Sequence, residues 1–230
     1  MTKRIILSLL SCLFLAEGFA QKNPAAAGFD EAGSDAKAIQ LADLAMEAMG
    51  GRKNWDKTHF IAWNFFGNRK LIWDKWTGNV RIDNVTNDQT VLVNINDGKG
   101  RVFKYGQEQT HPDSLSKYLR AGKGAWINDG YWLLMPFKLK DSGVTLKYLG
   151  EEKTQDGVDA DLIQLTFKGV GNTPDNKYKV WINKANHLVW QWAYFPKFDA
   201  PQPNFIRPWI DYKKHGKILI SGERGDQKEA

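Results

Sequence analysis

The stretch that decides the fold is residues 60–105, which read FIAWNFFGNRKLIWDKWTGNVRIDNVTNDQTVLVNINDGKGRVFKY. Apolar residues recur in it at every second position, as at Ile61, Trp63 and Phe65, and turn residues such as Asp97-Gly98 interrupt the alternation. A period of two is typical of strands with one buried face, and such turn pairs are typical of hairpins. This stretch therefore predicts consecutive antiparallel strands.

The alternation resumes at residue 144 and continues to residue 220, with a proline-rich loop at 196–208. It gives about ten strands in all by the period-two criterion, without an internal repeat or a linker. A sheet of that width with one apolar face rarely stays flat and exposed, so we expect it to curl or to be covered. The sequence predicts one α+β, mostly β domain, built as a single curled antiparallel sheet that forms an incomplete barrel.

Two helical segments are the expected cover for that sheet. Residues 35–49 have an apolar face at helical spacing, follow Ser34 as the expected N-cap and end at Gly50-Gly51. A central insertion predicts one helix after residue 111, a break at residues 122–124 and a second helix over 126–134. We expect both the N-terminal helix and this insertion to lie across the sheet.

The two ends of the chain differ in composition from the middle. Residues 1–20 have a basic start, a short apolar run and small residues at 18 and 20, which predicts a signal peptide cleaved near Ala20. A flexible leader (21–33), the domain (34–222) and a charged tail (223–230) follow. We therefore expect a periplasmic or secreted protein. Lipid anchoring at Cys12 is less favoured, because the residues after Cys12 stay apolar.

The composition excludes several classes of protein. Of the 230 residues, 13% are aromatic, including ten Trp, and a disordered chain would lack them. No apolar run is long enough for a helix that spans a membrane. The net charge is +6 at pH 7, but the basic residues are scattered, which argues against a nucleic-acid partner.

No sequence motif for catalysis or metal binding is present. The four His residues are far apart, no Gly-x-Ser-x-Gly occurs, and the one cysteine lies in the predicted signal peptide. Asp156, Asp159 and Asp161 cluster, but their spacing misses the calcium-binding loop and favours a polar hairpin turn. Carboxylates that pair only in space, as for glycoside cleavage, stay an open alternative. We therefore predict a non-enzymatic protein with no cofactor and no metal.

The order of elements over residues 34–222 resembles the lipoprotein carrier fold of the bacterial system that sorts lipoproteins to the outer membrane. The stretches that carry the resemblance are residues 131–139, 141–144, 161–167, 171–178 and 180–183. They look most similar to exported relatives of that carrier with no assigned activity. The resemblance implies a long antiparallel sheet curled into an incomplete barrel, with helices across its mouth. It carries fold more strongly than function, and no functional residue is carried over.

The aromatic residues are the positive signal for function. Three of them repeat at strand spacing in residues 190–194, so we expect them to share one face. Together with aromatics on other strands and in the insertion, they are the candidate ligand-binding residues: Trp63, Phe65, Trp73, Trp126, Trp132, Trp190, Trp192 and Tyr194. These rings could form a bulky core, an apolar cavity for an acyl chain, or exposed platforms for stacking on sugars.

The function predicted is that of an exported, non-enzymatic carrier or binding protein for an apolar ligand. The ligand would be a lipid, or the acyl chains of a lipoprotein, held between the sheet and the helices by burial of apolar area. The alternative is an envelope binding module for glycan or protein without a buried ligand. Expected partners are an apolar small molecule or lipid, with lipoproteins or envelope proteins as further candidates, and we expect a monomer.

Overall fold

The structure is a computed structural model, and it describes residues 23–169, 171 and 175–225. The predicted signal peptide, Cys12 and residues 226–230 of the predicted tail lie outside these described residues. Within them the helices are α1 (Ala36–Ala48), α2 (Arg52–Lys57), α3 (Pro112–Leu134) and a 3-10 helix over Met135–Lys138.

Thirteen strands are present in the same described ranges. In chain order they are β1 (Phe60–Phe65), β2 (Arg69–Asp74), β3 (Asn79–Asn84), β4 (Gln89–Asn94), β5 (Gly100–Lys104), β6 (Gln107–Glu108), β7 (Val144–Lys153), β8 (Asp159–Phe167), β9 (Lys177–Asn183), β10 (Val189–Phe195), β11 (Phe205–Pro208), β12 (Ile210–His215) and β13 (Ile218–Glu223).

The strands form three antiparallel sheets. Strands β1 to β6 form a six-stranded sheet in sequence order, β7 to β11 form a five-stranded sheet, and β12 pairs with β13. The α+β, mostly β class is confirmed. The prediction of a single curled sheet of about ten strands is wrong, because thirteen described strands divide into three sheets that do not close. Strand β6 has only two residues, which is too short to carry a further strand, and the chain then leaves the sheet through α3.

The N-terminal segment fastens α1 to the edge of β7. Helix α1 buries Leu41 and Ala45 on one face, but its N-cap is Asp35 and not the expected Ser34. The Ser34 hydroxyl instead accepts a hydrogen bond from the Leu146 amide (2.9 Å). The Asp35 amide donates to the Leu146 carbonyl, also at 2.9 Å. Asp35 therefore occupies the N-cap position without a capping hydrogen bond from its side chain, and both polar residues bind β7.

Helix α3 runs without a break over 23 residues, so the predicted interruption at residues 122–124 is wrong. The reason lies in the packing of Gly122 on the six-stranded sheet. A Cβ at Gly122 would lie 2.7 Å from the Val91 Cγ1 atom. The glycine therefore serves close approach of helix and sheet, and a helical glycine does not by itself end a helix.

The C-terminal end of the described chain is anchored in the second core, which α1 and the five-stranded sheet form. Glu223 is the last residue of β13, and the next residue, Arg224, is fully buried. Its guanidinium lies 3.5 Å from the centroid of the Trp209 ring and donates to the Trp132 carbonyl (2.6 Å). The hairpin is thereby tied to the end of α3. In the described part of the chain, no helix has the length and apolar character needed to cross a membrane.

Candidate functional site

An aromatic cavity of about 480 Å³ lies between the C-terminal half of α3 and the five-stranded sheet. This volume falls in the usual range of small-molecule sites. Helix α3 forms one wall and the ends of β8 to β11 form the other. The aromatic residues that line it are Trp55, Trp73, Trp126, Tyr131, Trp132, Phe167, Tyr178, Trp192, Tyr194 and Phe205.

The rings of the sheet wall form a connected cluster. Tyr178 and Trp192 are stacked, with their centroids 5.3 Å apart and an interplanar angle of 2°. Trp132 meets Trp192 edge to face at 5.0 Å, and Phe205 lies 5.1 Å from Trp132. Offset-stacked and edge-to-face contacts are the favourable arrangements for aromatic pairs. The cluster therefore fixes the shape of this wall.

The exposure of these rings distinguishes a cavity from a filled core. Trp192 is fully buried, at 0% of its accessible surface. Tyr178, Tyr194, Phe205 and Trp132 around it are only half-buried, although they contact one another. Rings in a close-packed interior would lose nearly all of their accessible surface. Their remaining surface lines the cavity, which is apolar space that a ligand could cover.

Four polar atoms in this lining have no hydrogen-bond partner among the described residues. They are the indole Nε1 atoms of Trp73, Trp126 and Trp192 and the hydroxyl oxygen of Tyr131, and all four are buried. Trp73 and Trp126 meet at 5.1 Å with an interplanar angle of 69°. An indole N–H that points at an aromatic face makes only a weak hydrogen bond, which replaces part of the bond to a normal acceptor. The lining therefore presents four buried polar atoms without a partner in the described structure, whereas the Tyr194 hydroxyl in the same lining donates to Asn176.

Two tyrosines of the cavity wall, Tyr131 and Tyr178, stay protonated near neutral pH. Burial raises the pKa of the Tyr131 hydroxyl well above its usual value, and the nearby Tyr178 raises it further. Burial also raises the pKa of Tyr178. Both hydroxyls therefore stay protonated, and an uncharged wall favours an uncharged ligand segment.

Charged groups stand at the margin of the cavity. The Lys138 ammonium lies 2.5 Å from a carboxylate oxygen of Asp141, and both residues border the cavity. Lys75 lies behind the wall, with its ammonium 3.7 Å from the centroid of the Trp55 ring and 2.5 Å from the Trp55 carbonyl oxygen. Burial lowers the pKa of Lys75 to about 8. An apolar interior with a polar margin suits an amphiphilic molecule.

The structure brings five of the eight candidate residues together in this cavity: Trp73, Trp126, Trp132, Trp192 and Tyr194. Trp63 and Phe65 lie instead in the core under the six-stranded sheet. Trp190 lies at a β-bulge between Val189 and Gln191, and its indole N–H donates to Asp156 (2.9 Å). A bulge shifts the alternation of a strand by one residue, so Trp190 does not share the cavity wall with Trp192.

Sequence reasoning missed five aromatic residues of the lining: Trp55, Tyr131, Phe167, Tyr178 and Phe205. A usable signal existed for two of them. Phe167 and Tyr178 occupy the same alternating positions as the buried Leu165 and Val180 on β8 and β9, respectively. Phe205 sits in the proline-rich stretch that the sequence presents as a loop, so periodicity could not reveal its side.

Helix α3 is held over the cavity by an ion pair that the sequence gave no reason to expect. The guanidinium of Arg69 on β2 binds the carboxylate of Asp129 on α3 through two hydrogen bonds of 2.6 and 2.7 Å. Asp129 is fully buried. The hydrogen bonds to the Asp129 carboxylate raise the pKa of the Arg69 guanidinium, so Arg69 stays protonated.

The described residues contain no group of three or more His, Cys, Asp or Glu side chains that could hold a metal ion. The acidic cluster noted in the sequence is divided among separate partners. Asp156 accepts from Trp190, Asp159 pairs with Lys153 at 2.6 Å, and Asp161 accepts from the Tyr148 hydroxyl. These contacts are those of a polar turn and its flanking strands.

No protein-family model matches this chain, and no curated protein matches it. Solved structures that are distantly similar include the following two. A DUF1329 family protein from Desulfovibrio piger is 15% identical, over 84% of this chain and 88% of that protein, with a TM-score of 0.42. MucB is 11% identical, over 82% of this chain and 66% of its own, with a TM-score of 0.29. Membership of the lipoprotein-carrier superfamily therefore stays a prediction.

Proposed function

We propose that this protein is an exported, non-enzymatic binding protein for an apolar ligand, which it holds in the aromatic cavity. The observation that carries the proposal is the set of half-buried rings around about 480 Å³ of space. A lipid acyl chain is the ligand class that an uncharged aromatic lining with a charged margin suits best. Platforms for stacking on sugars would instead present their rings on the open surface.

The binding energy in this proposal comes from burial. Each Å² of apolar surface removed from water contributes about 25 cal/mol, so a few hundred Å² supply roughly 5–10 kcal/mol before the cost of association. The charged margin at Lys138 and Asp141 would keep a polar headgroup in water. Such a ligand would enter by its chain, and its head would stay at the margin.

The first test asks what the exported protein carries. The protein is purified from the exported fraction, analysed by native mass spectrometry and extracted with organic solvent. A discrete added mass that extracts as lipid supports the proposal. A ligand-free mass that stays unchanged after mixing with lipid or detergent micelles would count against it.

The second test locates the ligand by the quenching of tryptophan fluorescence. Bromine-labelled stearate quenches tryptophan fluorescence at short range, whereas unlabelled stearate does not. We expect the brominated chain to quench the native protein, and Phe205→Asp to weaken binding at least about tenfold, because it puts a charge into the apolar wall. Phe198→Asp is the matched control, since Phe198 is 63% exposed and does not line the cavity. Equal affinities of the two variants for stearate would show that the ligand does not bind in this cavity.

A further inference from the structure

A second cavity, the β1 groove, shares no lining residue with the aromatic cavity in the described part of the chain. It has a volume of about 790 Å³ and runs between β1 and the hairpin of β12 and β13. Its floor is apolar: Ile61, Trp63, Leu133 and Ile218 line it, and each is at least nine-tenths buried. The exposed residues Phe60 and Ala62 form its β1 side.

The backbone of β1 faces this groove with an unpaired edge. Strand β1 is the first strand of the six-stranded sheet and pairs only with β2 in the described part of the chain. The Lys75 amide donates to the His59 carbonyl directly opposite it. In an antiparallel pair the hydrogen-bonded positions alternate. The amide and carbonyl groups of Phe60, Ala62 and Asn64 therefore point away from β2, and Phe60 and Ala62 line the groove.

The outer edge of the five-stranded sheet, at β7, is covered by the segment before α1. Along β7, the amides of Asp30 and Asp35 donate to the carbonyls of Val144 and Leu146, and an Asp35 carboxylate oxygen accepts from the Tyr148 amide. Strand β1, in contrast, has six residues, and its edge positions carry no charge and no proline. Proteins usually block such an edge, because it is a template for pairing with another chain.

The charge around the groove is positive. Lys57, Lys213 and Lys217 are exposed along it, against the single carboxylate of Asp211. That carboxylate is already paired with Lys213 at 2.9 Å. The cations of Lys57 and Lys217 stand at the groove, where they would attract a segment with acidic side chains.

We propose that the β1 groove binds an extended acidic segment of a partner protein, which adds as a strand to β1. The backbone of the segment would complete the hydrogen bonds of Phe60, Ala62 and Asn64. Alternate apolar side chains would cover the floor at Leu133 and Ile218, and the acidic side chains between them would face the lysines. Strand addition of this kind takes affinity from the backbone and specificity from alternate side chains. The proposal does not depend on a ligand in the aromatic cavity.

The test uses the protein without residues 1–20 and a fluorescent eight-residue peptide that alternates valine with glutamate. Fluorescence anisotropy measures its affinity. We expect a peptide that alternates valine with lysine to bind at least about tenfold more weakly, because the groove is cationic. A valine–glutamate peptide methylated on alternate backbone nitrogens should also lose binding, since it lacks the amides for pairing. Equal binding of all three peptides, or no binding of the first, would overturn the proposal.

Two kinds of variant locate the peptide. Ala62→Pro removes the outward amide of the edge while proline is tolerated on edge strands, so we expect at least about a tenfold loss of affinity. Ala62→Val keeps the amide and is the matched control, and circular dichroism confirms that both variants are folded. Lys217→Glu should lower the affinity for the acidic peptide and leave the fold intact. Unchanged affinity in Ala62→Pro and Lys217→Glu, or full displacement of the peptide by laurate, would show that the groove is not a strand-binding site.

Discussion

The guanidinium of Arg69 holds the fully buried carboxylate of Asp129 in a two-point ion pair, with distances of 2.6 and 2.7 Å. Arg69 is the first residue of β2, and Asp129 lies in the C-terminal half of α3. The pair therefore fixes the helix that supplies lining residues to both the aromatic cavity and the β1 groove. The same guanidinium lies 4.8 Å from the centroid of the Phe65 ring, which adds a packing contact.

Removal of one residue of this ion pair should lower the free energy of unfolding more than removal of both residues. Arg69→Met leaves the buried Asp129 carboxylate without its cation, and we expect a loss of about 3 kcal/mol in the free energy of unfolding. The double variant Arg69→Met, Asp129→Leu removes the buried charge as well and should recover a large part of that loss. Urea unfolding measures both values.

The control for this prediction is an exposed ion pair on the same sheet. Arg81 lies 2.8 Å from Asp83, and its side chain is 54% exposed. Arg81→Met should cost less than about 1 kcal/mol, because solvent screens such pairs. If the double variant is no more stable than Arg69→Met alone, the loss in the single variant does not come from the unpaired buried charge.

The two tryptophans on either side of the β10 bulge should behave differently. Trp192 is fully buried and meets Trp132 and Trp209 edge to face at 5.0 and 5.2 Å. Trp192→Ala should therefore cost about 3–5 kcal/mol of unfolding free energy. Trp190 is half-buried and makes its hydrogen bond to a turn residue, so we expect Trp190→Ala to cost about 1 kcal/mol. Similar losses in the two variants would mean that both rings belong to the core.

The strands of the first sheet could be predicted because each has one buried face. Ile61 and Trp63 on β1, Val80 and Ile82 on β3, and Val91 on β4 are buried at alternate positions, and hairpin turns separate the strands. Such a pattern is local and is visible in the sequence. The division into separate sheets is not local, because it depends on which strand edges stay unpaired after the chain passes through α3.

The site was only partly predictable for the same reason. Periodicity placed Trp192 and Tyr194 on one face of a strand without showing which side that face is on, and both line the cavity. It could not place Trp190, because an inserted residue shifts the alternation without any change in composition. It also could not pair Arg69 with Asp129, which are 60 residues apart and meet only when α3 docks on the sheet.

The segment that covers the β7 edge should respond to acid. Asp30 accepts hydrogen bonds from the Lys168 ammonium and the Thr145 hydroxyl, and these contacts lower its pKa from 3.8 to about 2. A carboxyl group with a lowered pKa in the folded state stabilises the protein above its unfolded pKa. That contribution should be complete above about pH 4 and lost as the pH falls toward 2.

The measurement is the thermal midpoint between pH 2 and pH 7. Asp30→Asn should lower the midpoint at pH 7 and flatten its fall below pH 4, because the variant has no carboxylate to protonate. Asp199→Asn is the matched control, since Asp199 is exposed in the loop between β10 and β11. If the thermal midpoint falls equally steeply below pH 4 in the native protein and in Asp30→Asn, the carboxylate does not have this role.

Two glycines of α3 should give opposite results when each is replaced by alanine. Alanine in a helix interior is usually favoured over glycine by about 0.5–1 kcal/mol. At Gly130 the new Cβ would lie 3.9 Å from the nearest Trp63 ring atom, an ordinary contact, so Gly130→Ala should stabilise the protein by about that amount. At Gly122 it would lie 2.7 Å from the Val91 Cγ1 atom, so Gly122→Ala should cost about 1–3 kcal/mol through overpacking. Urea unfolding of the two variants compares them directly, and stabilisation by both would mean that α3 does not lie as close to β4 as this contact requires.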